Sequence, residues 1–467
     1  WGRESSTLPG FFSEPIRFAD RLFFYAAARF AAGGPPAPLP EWAPMAGEQD
    51  KANGPKGRAS AWLVVAAGIG LIFLAIPLAR SVQGFLDRHF RTDVYLGLAA
   101  GFGVAGLVCA LRGLVRTPGF RIWSRLGWLA AAGAGTAWLL RDQLQSSVEA
   151  FHFVEYAALG VLFFRAWRRH LRDPLVYPLA LASVALVAWT DEFLQWLMPG
   201  RYWDFRDIRL NALAGAIGLL FAAGVVAPGT IRLPIVRSSV RRLCAALGAL
   251  LLLLGFAVSA TPARVDVVAT HVPGLAFLCN NESRLAEYGR LHYDPEIGTF
   301  RSHFDRVALR RQDRERGTEV GAAFAAGSLP DLREYRRDHV ISADPYRFEF
   351  YRHLLQRDHY ASAAGQYRAA DPGRFRHHCT VAARENQILE KYFPQALTAS
   401  GRVWDAARRA RCADFADWDR FYFSEVQNHL IVLAPETVWQ GLLLALLVGV
   451  GGGYVRWGRE SRAGVPD

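Results

Sequence analysis

The stretch LVYPLALASVALVAWTDEFLQWLMPGRYWDFRDIRLNALAGAIGLLFAAGVVAP, residues 175–228, decides the fold class. Two apolar runs, 175–198 and 210–228, approach the ~20 residues a helix needs to cross the hydrocarbon of a bilayer. The turn between them is crowded with ionisable groups: Asp191, Glu192, Arg201, Asp204 and Asp207. A soluble protein has no use for two such runs side by side, so the pair reads as a membrane hairpin with a polar tip.

Working outward, six more runs qualify at 61–79, 94–115, 123–140, 150–167, 243–260 and 438–455. Within the third, Arg125 is expected to snorkel from near the span's end to the headgroups. The mean hydropathy of the whole chain is only +0.09, because a polar block at 261–436 offsets the apolar runs. The expected fold is all-α: a polytopic membrane bundle of about eight transmembrane helices with a helical extracytoplasmic domain. The expected divisions are a cytoplasmic N-terminal segment at 1–60, two helices at 61–122, a four-helix membrane domain at 123–228, a loop and seventh helix at 229–260, the external domain at 261–436, and a last helix with its tail at 437–467. Residues 1–44 precede Met45 and are expected to lie upstream of the native start or to belong to a longer chain. The segment 11–30 has the aromatic and arginine content of an interfacial helix.

Net charge is +12, and arginine supplies nearly all of it. The arginines sit at span ends rather than on one soluble surface, which argues for membrane topology and against nucleic-acid binding. Arg112, Arg116, Arg121 and Arg125 surround one loop, Arg165, Arg168, Arg169 and Arg172 another, and Arg232, Arg237, Arg241 and Arg242 a third. Arg456, Arg459 and Arg462 follow the last span. These loops alternate with poorly charged ones, so the positive-inside rule places both termini in the cytoplasm and the polar block outside.

In the polar block, apolar spacing predicts helices over 302–316, 317–327, 345–357, 374–392 and 405–432. The pair His377–His378 reads as surface histidines. Of five cysteines, Cys109 and Cys244 fall in apolar runs as small core residues. Cys279, Cys379 and Cys412 allow one disulfide, without fixing the pair.

Three clusters place ionisable groups at or near membrane depth, where each is costly and usually faces a bundle interior. His152, Glu155 and Tyr156 open one span; His152 and Glu155, three apart, share a helix face. Asp191, Glu192 and Gln195 close the next. Arg201, Asp204, Asp207 and Asn211 lead into the one after, where Gly215 and Gly218 offer a smooth face to a neighbour. With the orientation above, all three clusters fall at the outer leaflet. Structural roles stay open beside a functional one: an Arg201–aspartate pair, or Asn211 as a cap or helix bridge.

HxxEY at 152–156, DExxQ at 191–195 and RxxDxxDxxxN at 201–211 resemble, in order and spacing, the signature of the VanZ-like family. The resemblance covers about 123–228. It implies a bacterial envelope protein of the inner membrane, in a family whose namesake is associated with reduced susceptibility to teicoplanin; it does not imply a reaction.

Several functions remain in play. The site can bind or act on an envelope lipid or lipid-linked saccharide, with carboxylates meeting amine or hydroxyl groups and Arg201 a phosphate. In that case His152 or Glu155 is the proton-transfer candidate, oriented by Asp191 or Glu192. Alternatively the chain is a non-enzymatic scaffold whose block 261–436, rich in groups such as Arg347, His353, His359, Arg376 and Trp418, recruits an envelope protein. A metal site from His152, Glu155, Asp191 and Glu192 is a weaker alternative, since the Glu-x-x-His repeat of di-iron bundles is missing. So is a transporter, because the charges crowd one face instead of spreading through the membrane. No cofactor is expected.

Overall fold

The computed structural model describes residues 55–89, 93–116, 122–143, 149–201, 203–225, 231, 234–280, 285–368 and 371–452. The expected interfacial segment at 11–30 lies outside them, as do 1–54 generally.

Each of the eight apolar runs is helical over most of its described residues. The helices are α1 (Pro55–His89), α2 (Asp93–Arg116), α3 (Ile122–Trp138), α4 (Glu149–Trp167), α5 (Val176–Trp196), α6 (Phe205–Val225) and α7 (Arg237–Ser259), and α15 (Pro435–Ala445) later in the chain. Four stretches are long and apolar enough to span a bilayer by themselves: Pro55–Leu78, Val176–Trp196, Phe205–Val225 and Arg237–Ser259. Exposed leucines and valines such as Leu71, Leu74, Val104, Leu107, Leu252 and Leu447 cover these helices, a surface that suits lipid and not water. The chain is a membrane protein.

Helix α6 is the hub, packing against α2, α3, α4 and α5. Its small residues explain why. A Cβ on Gly218 would stand 2.0 Å from the Ala157 carbonyl oxygen of α4, and one on Gly160 of α4 would stand 2.5 Å from the Gly215 carbonyl oxygen. Only hydrogen fits at either position, so the two backbones touch, as small residues allow helices to do in lipid. The smooth face expected at Gly215 and Gly218 is therefore real.

Two expectations need correcting here. Arg125 does not snorkel: it is 2% exposed, and its Nε donates to the Gly224 carbonyl oxygen at 2.9 Å. The C-terminal end of α6 offers a carbonyl acceptor and the negative end of the helix dipole, a better partner than a distant headgroup. Cys109 is exposed on the bundle surface and is not a core residue, whereas Cys244 is buried.

The polar block begins with α8 (Pro262–His271), whose Val265 and Ala269 join the bundle's own apolar core. A hairpin of β1 (Arg290–Asp294) and β2 (Gly298–Ser302) follows, antiparallel with Arg290 opposite Ser302. Helices α9 (Arg306–Ala322), α10 (Leu332–Asp338), α11 (Pro345–Tyr367), α12 (Pro372–Tyr392), α13 (Pro394–Ala399) and α14 (Ala406–Ala413) complete it. Its core is aromatic, with Phe300, Tyr346, Phe350, Tyr351 and Phe393 fully buried.

Helical content was legible in the block and its boundaries less so. Asp305, Asp344, Asp371 and Asp405 each accept a hydrogen bond from the backbone three residues on, N-capping α9, α11, α12 and α14; this is the start signal such residues supply. The expected break between 302–316 and 317–327 is absent. Gly317 and Gly321 lie inside α9 because a Cβ at either would collide with α13 at Ala396; they mark packing, not a turn. The expected helix at 405–432 stops at Ala413, and the rest runs out as turns, with bridges Thr299–Phe423 and Tyr288–Ile431. The hairpin escaped the spacing argument because its inward residues include polar His292 and Asp294. Of the histidine pair, only His377 is at the surface; His378 is buried. All five cysteines are free thiols, with Cys379 and Cys412 in one small buried cluster.

Candidate functional site

The three polar clusters meet at one end of the bundle. Tyr156 of α4 donates its hydroxyl to Asp191 Oδ2 of α5 at 2.8 Å, with both residues buried. His152 Nδ1 and Glu155 Oε2, on the same face of α4, are 3.0 Å apart. Glu192 Oε1 accepts the backbone N–H of Asp204 at 2.7 Å, pinning the loop between α5 and α6. Asp204 Oδ1 in turn accepts the Arg206 N–H at 2.7 Å, satisfying one of the orphan donors at the start of α6.

Glu149 and Gln143, absent from the sequence reading of this site, complete the frame as partners of Arg206 and Arg209, the cations beside the cluster. Arg206 reaches Glu149 Oε2 of α4 at 2.8 Å and also donates to the Gln143 carbonyl oxygen. Arg209 donates to Gln143 Oε1 at 3.2 Å. Gln143 closes a π-helical turn, Leu139–Gln143, that widens the end of α3; such turns often accompany functional sites. Glu149 was findable, since it sits one turn before His152 and shares its face. Gln143 carried no sequence signal.

Between these elements lies a small cleft, partly open to solvent. His152, Asp191, Gln195, Arg201, Asp207 and Asn211 line it, joined by Glu149. Leu139, Phe153 and Leu210 supply an apolar wall. Asp191, Gln195 and Asn211 are 1%, 6% and 6% exposed and form the floor. The remaining expected site residues, Glu155, Tyr156, Glu192 and Asp204, stand behind the lining and hold it in position.

The floor is incompletely satisfied. Asp191 Oδ1 and Glu192 Oε2 are buried and make no hydrogen bond of good geometry among the described residues, although the Gln195 side chain, four residues on, stands beside Asp191 as a donor. Unsatisfied buried acceptors cost about 1–3 kcal/mol each and call for an explanation. Asp191 Oδ1 adjoins the cavity, where an incoming donor could supply the missing bond. As for a metal, no group of three His, Cys, Asp or Glu side chains converges suitably among the described residues. Asp191 and Glu192 take separate partners, Tyr156 and the Asp204 backbone, so the four residues considered for a metal do not face one centre.

Fold and site together define a polytopic helical membrane protein with a polar pocket at one end of its bundle. Residues 119–226 match the family model described as VanZ/LLP1, so the chain carries a VanZ-like domain made of α3 to α6 and the pocket they enclose. Searches among curated proteins and among solved structures returned no match.

Proposed function

We propose that the pocket binds the polar head of an envelope lipid or lipid-linked saccharide at the outer leaflet of a bacterial cytoplasmic membrane. In this reading the eight helical runs are all spans, both termini are cytoplasmic, and residues 261–436 are extracytoplasmic. The alternation of arginine-rich and arginine-poor loops supports that orientation. The observation that carries the reading is the buried Asp191, whose Oδ1 makes no hydrogen bond of good geometry among the described residues, in the lining of a cleft with one apolar wall. An apolar pocket with a few convergent polar groups is the usual form of a small-molecule site.

Any chemistry would fall to His152. It lines the cavity and its Nδ1 is engaged by Glu155, leaving Nε2 as the proton-transfer atom, a base oriented by a carboxylate. Glu155 would then be a positioning residue. The resemblance adds an association with glycopeptide susceptibility, which deletion of the gene and a teicoplanin titration would test separately.

The test is native mass spectrometry with lipidomics on protein extracted in its own membrane, comparing wild type with Asp191→Asn. The expected result is one envelope lipid or lipid-linked sugar retained by wild type and lost in the variant. Equal lipid profiles from two folded proteins would reassign Asp191 to helix packing. A scaffold role is the second reading, supported by exposed Tyr293, Phe421 and Phe423 on the polar block. It predicts that substituting these aromatics abolishes capture of one specific envelope protein while lipid retention stays intact.

A further inference from the structure

The pocket's charge is lopsided, and the imbalance bears on the ligand. Three carboxylates line it (Glu149, Asp191 and Asp207) against one guanidinium, that of Arg201, and the imidazole of His152. Arg206 offsets two of the three from behind: its guanidinium is 2.8 Å from Glu149 and 3.6 Å from Asp207. Asp191 has no guanidinium of its own: the His152 imidazole is the basic group beside it, Tyr156 and Gln195 are its side-chain donors, and Oδ1 makes no hydrogen bond of good geometry among the described residues. Gln195 and Asn211 line the same pocket, each with a carboxamide that accepts through its oxygen and donates through its NH2. A buried carboxylate oxygen accepts hydrogen bonds; it repels an anion, and a quaternary ammonium has no N–H to donate to it. Quaternary ammonium is recognised by aromatic cages, and among the described lining residues Phe153 is the one phenyl, phenol or indole ring.

Resting on the lipid-head reading above, we propose that the pocket selects a primary ammonium group carried on a phosphate-bearing headgroup. The ammonium donates to Asp191 Oδ1 between Gln195 and Asn211, and the phosphate meets Arg201. An ammonium has three donors, which this floor can accept. Arg201 matches the planar, two-pronged geometry of a phosphate better than a lysine would. Leu139, Phe153 and Leu210 cover the methylenes between the two charges. Two sources share this chemistry, an ethanolamine phospholipid and an amino-sugar phospholipid.

The experiment uses the full chain in detergent, exchanged against equimolar phosphatidylethanolamine, phosphatidylcholine and phosphatidylglycerol, and read by native mass spectrometry. A second arm replaces the ethanolamine lipid by a glucosamine phospholipid. Wild type is expected to retain the primary-amine lipid about tenfold over the other two, as one charge-assisted hydrogen bond allows. Asp191→Asn, which keeps size and the bond from Tyr156, should erase that preference, and Arg201→Gln should weaken retention of all three. Whichever arm shows the stronger retention identifies the source. Equal retention of phosphatidylcholine by wild type, or an unchanged amine preference in Asp191→Asn, overturns the ammonium assignment. If lipid is retained through Arg201 regardless of amine, the assignment falls and the lipid-head reading stands. If neither Asp191→Asn nor Arg201→Gln alters retention while both unfold at the wild-type temperature, both fall.

Discussion

The bundle and the polar block both bury carboxylates, and they treat them differently. In the block, Glu385 is saturated: Tyr422 and Ser424 donate to Oε1, each at 2.6 Å, and the His353 ring meets Oε2 at 2.6 Å. Glu349 is likewise filled by the Ser302 hydroxyl and by the backbone and ring of His303. Asp313 receives the Tyr346 hydroxyl and the N–H groups of Gln395 and Ala396. In the bundle, Asp191 and Glu192 are just as buried, yet each has one oxygen that makes no hydrogen bond of good geometry among the described residues. A carboxylate whose acceptors are filled from within is a structural joint. One left open beside a cavity is held for something else, because folding alone gives no reason to leave it so.

The sharpest way to break this comparison is to remove one carboxylate from each region. Glu385→Ala should cost about 3–5 kcal/mol, because it strands the buried Tyr422, Ser424 and His353 together. It should lower the unfolding temperature of the block or prevent its accumulation, by circular dichroism or differential scanning fluorimetry. If that variant proves as stable as wild type, closure of the network is not what holds the block.

Gly218→Ala comes next. Its new methyl meets the Ala157 carbonyl oxygen, and with backbone on both sides an overpacking cost of about 1–3 kcal/mol follows. Gly101→Ala, with nothing near its Cβ position, is the matched control and should be neutral. Equal unfolding temperatures in detergent for the two variants would refute the α4–α6 contact.

A third prediction concerns pH, and lies in the block alone. Burial acts to lower the His303 imidazole, but its hydrogen bonds to Glu287 and Glu349 prevail and carry it up to about 9. Burial would raise Glu287, yet His303 and His429 hold its carboxyl below the usual range. The raised histidine contributes stability in full below about pH 6.5 and loses it as pH climbs through about 9. The lowered glutamate contributes above about pH 4.5 and loses it in acid. Stability should therefore peak between those limits and fall on the alkaline side by roughly 3 kcal/mol, read as a drop in unfolding temperature. His303→Gln should flatten the alkaline limb. An alkaline limb unchanged by that substitution would place the titrating group elsewhere.

The smallest effect expected is the most telling. Asp191→Asn should shift bundle stability by less than about 1 kcal/mol, since asparagine keeps the size and can still accept the Tyr156 hydroxyl, while removing ligand selectivity. Large destabilisation with unchanged lipid retention would make Asp191 a joint like Glu385 and dissolve the contrast between the two regions.

The sequence by itself determined the helical runs, the packing role of Gly215 and Gly218, and the residue types gathered at one end of the bundle. Hydrophobic length and small-residue spacing are local properties, and so is the DExxQ face on one helix. Which of the two half-satisfied carboxylates faces the cleft was decided by tertiary structure: Asp191 and Glu192 are adjacent in the chain, yet Asp191 lines the pocket and Glu192 holds the Asp204 backbone behind it. Arg125 shows the same limit: its acceptor, the Gly224 carbonyl oxygen, lies ninety-nine residues away, beyond any local pattern. The β-hairpin, the end of the last expected helix at Ala413, and the parts played by Gln143 and Arg206 likewise depend on partners distant in sequence, which periodicity does not encode.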